Sequence, residues 1–202
     1  MNRQRRRLPA LAVLALILAG CAGMPMAGQA PATAPWAMRQ ATLGALRDWE
    51  LGGRISLARE AKGWHANLQW QQQGSGYSIA LVGPLGQGRL EIEGGANGAR
   101  LRNSDGQVID ATDPDALVEK AVGWRIPIKG LVYWVRGLPE PGVAATLEGD
   151  GQGRLTRLRQ SGWIIDYLRY EPVEGIDLPA RIDARQGDLE VKLVIGQWRL
   201  PS

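Results

Sequence analysis

Two side chains in this 202-residue sequence stand out for the chemistry they could do: its single cysteine, Cys21, and its single histidine, His65. A thiol can act as a nucleophile, bind a metal or form a disulfide or thioether, and an imidazole can exchange protons near neutral pH. With one of each, the chain can form neither an internal disulfide nor a His/Cys metal cluster, and a Ser-His-Asp triad would have to use His65. His65 lies between the apolar residues Trp64 and Ala66 in an alternating stretch, which predicts a solvent-facing strand position. We therefore expect no catalytic and no metal-binding residues.

The sequence before Cys21 has the parts of a secretory signal peptide. It opens with a basic cluster of Arg3, Arg5, Arg6 and Arg7, and an apolar run from Leu8 to Leu18 follows. This run is shorter than the roughly 20 residues that cross a bilayer. Leu18-Ala19-Gly20-Cys21 resembles the bacterial lipobox, which implies cleavage before Cys21, a diacylglyceryl group on its sulfur and an acyl group such as palmitate on its amino group. The alternative is a chance cysteine at the end of a signal peptide or a short membrane anchor.

The formal net charge of +4 comes from the segment before Cys21. Four of the 24 Lys and Arg residues and none of the 20 acidic residues lie there, so residues 21–202 carry 20 basic and 20 acidic side chains. A chain without net positive charge has no overall electrostatic attraction for the phosphates of nucleic acid. Nucleic acid is therefore not expected as a partner. The length suits one domain with a sizeable core. Its eight Trp and no Phe would either build a rigid core or line a cavity.

Two patterns resemble functional motifs but fit structural roles better. The glycine-rich stretch from 149 to 153 precedes a strand pattern, so no helix N-terminus would face a bound phosphate, and a hairpin turn is predicted. The acidic pairs Asp113/Asp115 and Glu91/Glu93 could suggest a glycosidase. The first pair lies at a predicted helix start and the second on an alternating strand, so both pairs are predicted to be solvated.

Alternation with a period of two dominates the chain after residue 63 and predicts an antiparallel meander. Short apolar-alternating segments recur about every ten residues, and Gly, Asn and Asp residues separate them. The predicted strands lie around Trp64–Gln71, Tyr77–Leu81, Leu90–Ile92, Leu101, Val108–Ile109, Ala144–Leu147, Leu155–Gln160, Trp163–Tyr170, Ala180–Arg185 and Leu189–Trp198.

Three helical segments accompany these strands. The first is predicted from about Ala37 to Asp48, although Gly44 interrupts it. The second starts at Asp113-Pro114, an N-cap followed by a first-turn proline, and ends at Gly123. The third is predicted from the helical spacing of Ile128, Leu131, Val132 and Val135.

The fold class that these elements predict is mainly β with short helices. A single antiparallel sheet of about 10–11 strands tends to curl, so we expect an incomplete barrel with a helical lid over an apolar cavity. Ligands commonly bind in such interiors.

The loop Gly83-Pro84-Leu85-Gly86-Gln87-Gly88 joins two predicted strands. Glycine and proline on both sides of Leu85 favour a sharp turn that presents this leucine to solvent. The alternative is that Leu85 folds back into the core, and the residues alone leave both possibilities open.

Several ordered fragments resemble the LolB family of outer-membrane lipoprotein receptors. They run from about Trp49 to Trp198, and the Pro-Leu-Gly loop and the segment Tyr133-Trp134-Val135-Arg136-Gly137-Leu138-Pro139 are the most specific. The other matching fragments are Gly53-Arg54, Trp70-Gln71, Gly123-Trp124, Ile126-Pro127, Gln160 with Gly162-Trp163, Leu178-Pro179 and Val191–Ile195 with Trp198.

The resemblance implies a receptor, not an enzyme, that accepts acylated lipoproteins from the periplasmic carrier LolA and inserts them into the inner leaflet of the outer membrane. It implies an apolar cavity for the acyl chains of the cargo and a membrane-transfer loop of Pro84, Leu85 and Gly86, with Leu85 protruding. No cofactor is expected beyond the lipid on Cys21, and a monomer is expected. Ala22 follows the cysteine, in place of the Asp associated with inner-membrane retention in enterobacteria, which agrees with outer-membrane placement.

These expectations divide the chain into three parts. Residues 1–20 would be the signal peptide, residues 21–35 a tether and residues 36–202 the lipoprotein-binding domain. The main alternative is a lipid-anchored structural or envelope-assembly lipoprotein without a lipid ligand. An anchored hydrolase is disfavoured because no catalytic constellation is found.

Overall fold

The computed structural model describes residues 34–86, 88–123 and 125–201. The predicted signal peptide, Cys21 and the predicted tether up to residue 33 lie outside the described residues. No helix in the described ranges is long and apolar enough to cross a membrane. The elements in chain order are α1 (Ala34–Ala45), β1 (Asp48–Arg59), β2 (Lys62–Gln73), β3 (Gly76–Val82), a 3-10 turn (Pro84–Gly86), β4 (Arg89–Gly95), β5 (Gly98–Asn103), β6 (Val108–Ala111), α2 (Pro114–Val122), α3 (Ile128–Trp134), β7 (Ala145–Gly149), β8 (Leu155–Gln160), β9 (Trp163–Val173), β10 (Ile176–Gln186) and β11 (Leu189–Arg199).

The strands form one antiparallel sheet, as the alternation predicted. Its order is β6-β5-β4-β3-β2-β1-β11-β10-β9-β8-β7, so the first and last strands of the chain meet in the middle. The edge strands β6 and β7 are not paired with each other, and the barrel is therefore incomplete. The predicted fold class is confirmed.

Strand β1 is the element that the sequence pattern missed. It pairs with β2 on one side and with β11 on the other, and the register of the β11 ladder shifts between Gly52 and Gly53. A Cβ at Gly53 would lie only 2.2 Å from the backbone oxygen of Val194, so only glycine fits this close approach. The bulge interrupts the alternation, which is why the pattern of β1 is not visible in the sequence.

The helices follow the predicted capping signals. Asp113 accepts from the backbone N–H of Asp115 at the start of α2, Pro114 is the first helical residue, and Gly123 ends the helix in the left-handed region. Helix α3 begins at Ile128 as predicted. The first helix was predicted about three residues too late, because α1 begins at Ala34, within the stretch assigned to the tether, and Asp48 already belongs to β1.

Antiparallel pairing gives the sheet two distinct ends. The connections β1–β2, β3–β4, β5–β6, β8–β9 and β10–β11 lie at one end, which we call the loop end. Helix α1 packs at the other, the α1 end, where Arg39 donates to the carbonyl of Asp177 at the start of β10 and Pro35 lies against Gly153 of the β7–β8 connection.

The core runs through the concave side of the sheet and draws its buried members from Leu43 to Trp198. At the α1 end, the ring of Trp49 packs at a tilt against Trp70 and edge-on against Trp198, with ring centroids 5.3 and 5.5 Å apart. Aromatic pairs at such distances add to the stability gained from burial. Because every described core member lies after residue 42, we expect the chain to fold without residues 1–21.

Candidate functional site

A cavity of about 420 Å³ lies between the sheet and the helices α2 and α3. Its walls come from both halves of the sheet, and every lining residue except Gly88, Arg89, Asn103 and Ser104 has an apolar side chain. The sheet contributes inward-facing residues of β1–β4 and β9–β11, such as Leu57, Leu68, Ile79, Ile92, Val191 and Leu193. A cavity with such walls binds hydrocarbon and offers little to a polar ligand.

The polar lining residues mark the mouth of the cavity. Arg89 begins β4, and Asn103 ends β5, so these residues and Ser104 all lie at the loop end. The opposite end is bounded by Trp70, which belongs to the tryptophan cluster. The cavity therefore has a polar mouth at the loop end and an aromatic floor toward the α1 end.

The lid side of the cavity is held in place by Trp134 of α3. Its indole N–H donates to Gln160 Oε1 at 2.8 Å, and its backbone carbonyl accepts from the hydroxyl of Tyr167 at 2.9 Å. Gln160 is buried and also bonds the backbone of Glu140 and Val143. All these polar groups are satisfied within the core, so the network fixes the position of the Trp134 ring in the cavity wall.

Arg136 joins the lid to helix α1. Arg136 is only 5% exposed, and its guanidinium donates to the carbonyls of Leu43 and Leu46, at 2.8 and 2.7 Å, and to that of Val132 at 3.0 Å. These carbonyls belong to the C-terminal ends of α1 and α3, where a positive charge is favourable. The guanidinium also lies 5.4 Å from the ring of Tyr133. Burial lowers the pKa of Arg136, which still remains charged at neutral pH because the ordinary value is so high.

The two lid helices are joined by Asp115. Helix α3 has Pro127 at its N-cap position and no side-chain cap of its own. Asp115 of α2 supplies one instead, because its Oδ1 accepts from the backbone N–H of Ile128 at 2.8 Å. Burial raises the pKa of this carboxyl. The acidic residues at the start of α2 thus have structural contacts.

The loop after β3 presents Leu85 to solvent. The backbone N–H of Gly83 donates to the carbonyl of Gly88 at 3.0 Å, and that of Gly86 donates to the carbonyl of Gly83, which closes a tight turn. The side chain of Leu85 is 98% exposed, and Pro84 and Gly86 beside it are also exposed. Of the two positions that the sequence left open for Leu85, the structure shows the protruding one, next to the cavity mouth.

The backbone of Leu85 is strained, with φ of 56° and ψ of 21°. A left-handed conformation costs a residue with a Cβ roughly 1–2 kcal/mol. An exposed leucine at a strained position contributes nothing evident to folding.

Replacing Leu85 by Gly should therefore raise the stability of the chain. Removing the strain, roughly 1–2 kcal/mol, outweighs the added entropy cost of glycine, roughly 0.5–1 kcal/mol, so the free energy of unfolding should increase by about 0.5–1 kcal/mol. Urea denaturation measures this change, and Leu85→Ala, which keeps the strain, should leave stability unchanged. A loss of more than about 1 kcal/mol in Leu85→Gly would mean that the leucine packs against the domain.

The other described residues singled out in the sequence are exposed or make structural contacts. His65 is exposed on β2, as predicted. Glu91 forms an ion pair with Arg89 at 2.7 Å. The glycine-rich stretch is the β7–β8 turn, in which Asp150 accepts from the backbone N–H groups of Gln152 and Arg154. Cys21, the predicted lipid attachment site, lies outside the described residues.

Gln160 and Arg136 hold the lid in place, and this role was not predicted from the sequence. Arg136 gave a signal, since it is a charged residue between the apolar Val135 and Gly137-Leu138. The residue type of Gln160 gave none, because a glutamine before a turn is ordinarily exposed. Its one signal was the resemblance of Gln160 with Gly162-Trp163 to the family.

Comparison with known proteins identifies relatives along most of the chain. The family model described as outer membrane lipoprotein LolB matches residues 47–198. An outer-membrane lipoprotein LolB from Nitrosococcus oceani is 36% identical over 198 residues, which cover 96% of this chain and 98% of the relative. The protein of that name from Chromohalobacter salexigens is 37% identical over 191 residues, 94% of this chain and 89% of the relative.

Solved structures with similar folds share little sequence with this chain. A putative outer membrane lipoprotein-sorting protein domain from Vibrio parahaemolyticus superposes with a TM-score of 0.56 at 7% identity, covering 83% of this chain and 91% of that one. A LolA superfamily protein from Nitrosomonas europaea gives 0.53 at 9% identity, with coverage of 83% and 94%. These likenesses concern the fold, whereas the sequence matches extend over nearly the whole chain: this chain belongs to the outer membrane lipoprotein LolB family.

Proposed function

We propose that this chain receives the acyl chains of lipoproteins in its cavity and delivers them to the outer membrane through the Leu85 loop. The observation that carries the proposal is the apolar cavity of about 420 Å³, whose mouth lies beside the exposed Leu85. Family membership makes the chain an outer-membrane lipoprotein of the lipoprotein localisation system. The donor would be the periplasmic carrier LolA, and the similarity of this fold to a LolA superfamily protein supports that pairing.

Handover between two cavities needs an apolar route and no chemical step. Exposing one acyl chain of about sixteen carbons to water would cost roughly 12 kcal/mol at about 0.8 kcal/mol per methylene. Direct contact between the mouth of the carrier and the mouth of this cavity avoids that cost. Transfer in one direction then requires only that this chain binds the cargo more tightly than the carrier does, and that the bilayer binds the cargo more tightly than this chain does. This mechanism uses no catalytic residue.

The role of the membrane anchor follows from Cys21. A diacylglyceryl group and an N-acyl group on this residue would keep the chain on the membrane, because two or more acyl chains give stable anchoring. The anchor and the Leu85 loop would then be separate membrane contacts. The anchor sets location and local concentration, and the loop acts in release.

A lipid-anchored structural or assembly lipoprotein without a lipid ligand remains the second candidate function. Such a protein needs a well-packed interior, whereas cavities inside a folded domain reduce stability. An apolar cavity between sheet and lid therefore favours the receptor.

A transfer assay tests the proposed function. A fluorescently labelled triacylated peptide is loaded on purified LolA and mixed with the chain from residue 22 onward, which lacks the lipidated cysteine and is first shown to unfold cooperatively. The label should move to this chain without added nucleotide or membrane. If the folded chain takes up no label, the receptor function is wrong and the structural role is favoured.

A further inference from the structure

One side of helix α1 holds it against the rest of the domain. Leu43 is fully buried, Trp36 packs against the core, and Arg39 donates to the carbonyl of Asp177. The guanidinium of Arg39 also lies 5.2 Å from the ring of Tyr170. Trp36, Arg39 and Leu43 follow one another at i, i+3 and i+7, so they share one side of the helix. These contacts fix the direction in which the opposite side faces.

That opposite side, which we call the outer face of α1, is exposed but carries no charge. Its exposed members are Ala34, Ala37, Met38, Ala41, Thr42 and Ala45. Met38 is 70% exposed, and the one hydroxyl, that of Thr42, donates to the carbonyl of Met38 at 3.1 Å. The exposed side of a surface helix ordinarily carries charged side chains. An outer face without them is typical of a surface that a partner covers.

The sequence before α1 indicates that this partner is the membrane. Ala34 follows the predicted lipid attachment site Cys21 by thirteen residues. At about 3.5 Å per residue, α1 therefore begins within about 45 Å of the anchor. No charged residue lies between Cys21 and Met38, and Arg39, the first one after Cys21, is turned toward the domain. This part of the chain can approach lipid without removing a charge from water.

Covalent attachment makes a weak contact sufficient. Several alanines and one methionine offer little apolar area, so the outer face would not hold a free domain on a bilayer. A lipid on Cys21 would turn the contact into an intramolecular one, for which short connections give effective concentrations of about the millimolar range. A second protein has no such link to α1. We therefore expect contact of α1 with the membrane in the anchored chain and none in a chain without the lipid.

We propose that the outer face of α1 lies on the membrane surface when the chain is anchored, so that the cavity mouth at the opposite end faces the periplasm. This inference rests on the proposed function and on the proposed lipid on Cys21, and it adds an orientation to them. The mouth is then open to a carrier that arrives from the periplasm. Leu85 shares the loop end with the mouth, so it meets the same bilayer only after the domain turns over. Receipt and release of cargo thus take place in two orientations.

Fluorescence quenching measures this orientation. Because Cys21 is the only cysteine and would carry the lipid, an introduced cysteine is the only free thiol. Met38→Cys places an environment-sensitive dye on the outer face of α1, and Ser104→Cys places the same dye at the mouth as the matched control. The lipidated variants are reconstituted in vesicles of phosphatidylethanolamine and phosphatidylglycerol that contain lipids with nitroxide headgroups. Mass spectrometry checks the lipid on Cys21.

The dye at position 38 should be quenched at least about threefold more strongly than the dye at position 104, because only the anchored end stays near the lipid. The chain from residue 22 onward should show no quenching at either position. Equal or stronger quenching at position 104, or none at position 38, would overturn the orientation. Protection of position 38 from aqueous iodide in the unanchored chain would overturn it too, because residues 22–33 or a second copy would then cover the outer face.

The same measurements keep this inference separate from the receptor function. None of the quenching outcomes changes the expected uptake of labelled peptide from the carrier, which the transfer assay measures. Failure of uptake with strong quenching at position 38 would contradict the receptor and leave the orientation standing. A chain recovered without lipid on Cys21 would overturn the anchor and the orientation together.

A charged variant gives a second readout. Met38→Glu places an acid on the outer face, so quenching of a dye at Ala41→Cys should fall at least about threefold, since a carboxylate is costly to move out of water. Ala58 is exposed on β1, and Ala58→Glu is the matched control that should leave quenching unchanged. Met38 is 70% exposed, so Met38→Glu should fold normally, which urea denaturation checks. Unchanged quenching in the folded Met38→Glu variant would contradict the proposal.

Discussion

Replacing Leu85 by Glu should leave uptake of acyl chains intact but slow their release into membranes by about 100-fold. Leu85 is 98% exposed on a turn closed by backbone hydrogen bonds, so its replacement removes no packing from the core. In a bilayer, an acidic side chain such as Asp costs about 2.5–3.5 kcal/mol, while leucine gains up to about 0.6 kcal/mol. The difference of about 3 kcal/mol corresponds to the expected factor of about 100 in populating the membrane-inserted loop.

Vesicles of outer-membrane lipids measure this release. The variant is loaded with a labelled lipoprotein, and the appearance of label in the vesicles is followed over time. Leu85→Met is the matched control, because it stays apolar at the same position, and it should release cargo within about threefold of the unmodified chain. A normal release rate for Leu85→Glu would show that the loop does not act in the membrane. A sharp fall in unfolding temperature would show that Leu85 belongs to the core.

Replacing Arg136 by Met should destabilise the chain by about 3 kcal/mol. The change removes the guanidinium donor from the carbonyls of Leu43, Leu46 and Val132. The Leu43 carbonyl still accepts from the backbone N–H of Leu46, and each buried group left unsatisfied costs about 1–3 kcal/mol. The variant no longer pays the desolvation cost of a buried guanidinium, and this offsets part of the loss of stability. Urea denaturation of Arg136→Met measures the loss.

Arg136→Lys separates charge from geometry. A lysine keeps the positive charge but lacks the planar fork that reaches both helix ends, so we expect a loss between that of Arg136→Met and none. If Arg136→Met cost less than about 1 kcal/mol, Arg136 would not be what holds α3 against α1. The cavity wall would then have to be fixed by the Trp134–Gln160 pair alone.

The strands of this fold could be predicted from the sequence because most of them alternate cleanly. Residues 189–195 are an example, since every second residue is buried against the concave side. Strand β1 could not be found, because the bulge at Gly53 breaks its period and because its partner β11 lies about 140 residues away in the chain. Long-range register of this kind leaves no local signal. The helix α2 was predictable from Asp113, Pro114 and Gly123, since capping depends on near neighbours only.

The candidate site was predictable in part. The exposed loop around Leu85 followed from its glycines and proline, although the exposure of the leucine itself did not. An inward-facing residue such as Leu68 or Ile92 has the same sequence signature whether it packs against a neighbour or lines a cavity. Which of these occurs depends on the distance between sheet and lid, and that distance is fixed by contacts of Trp134 and Arg136 that span 26 and about 90 residues of sequence.

The tryptophans, expected either to form a core or to line a cavity, do both: Trp49 is in the core, and Trp64 lines the cavity.

Photo-crosslinking shows whether acyl chains bind in the cavity between sheet and lid. A cysteinyl peptide with a diazirine at the middle of its acyl chain is transferred to the folded chain, irradiated, and the modified residues are identified by mass spectrometry. The crosslinks should fall on cavity-lining residues of both sheet halves, such as Leu68, Ile79, Ile92 and Val191. Crosslinks confined to the Leu85 loop or to the convex face of the sheet would contradict the account.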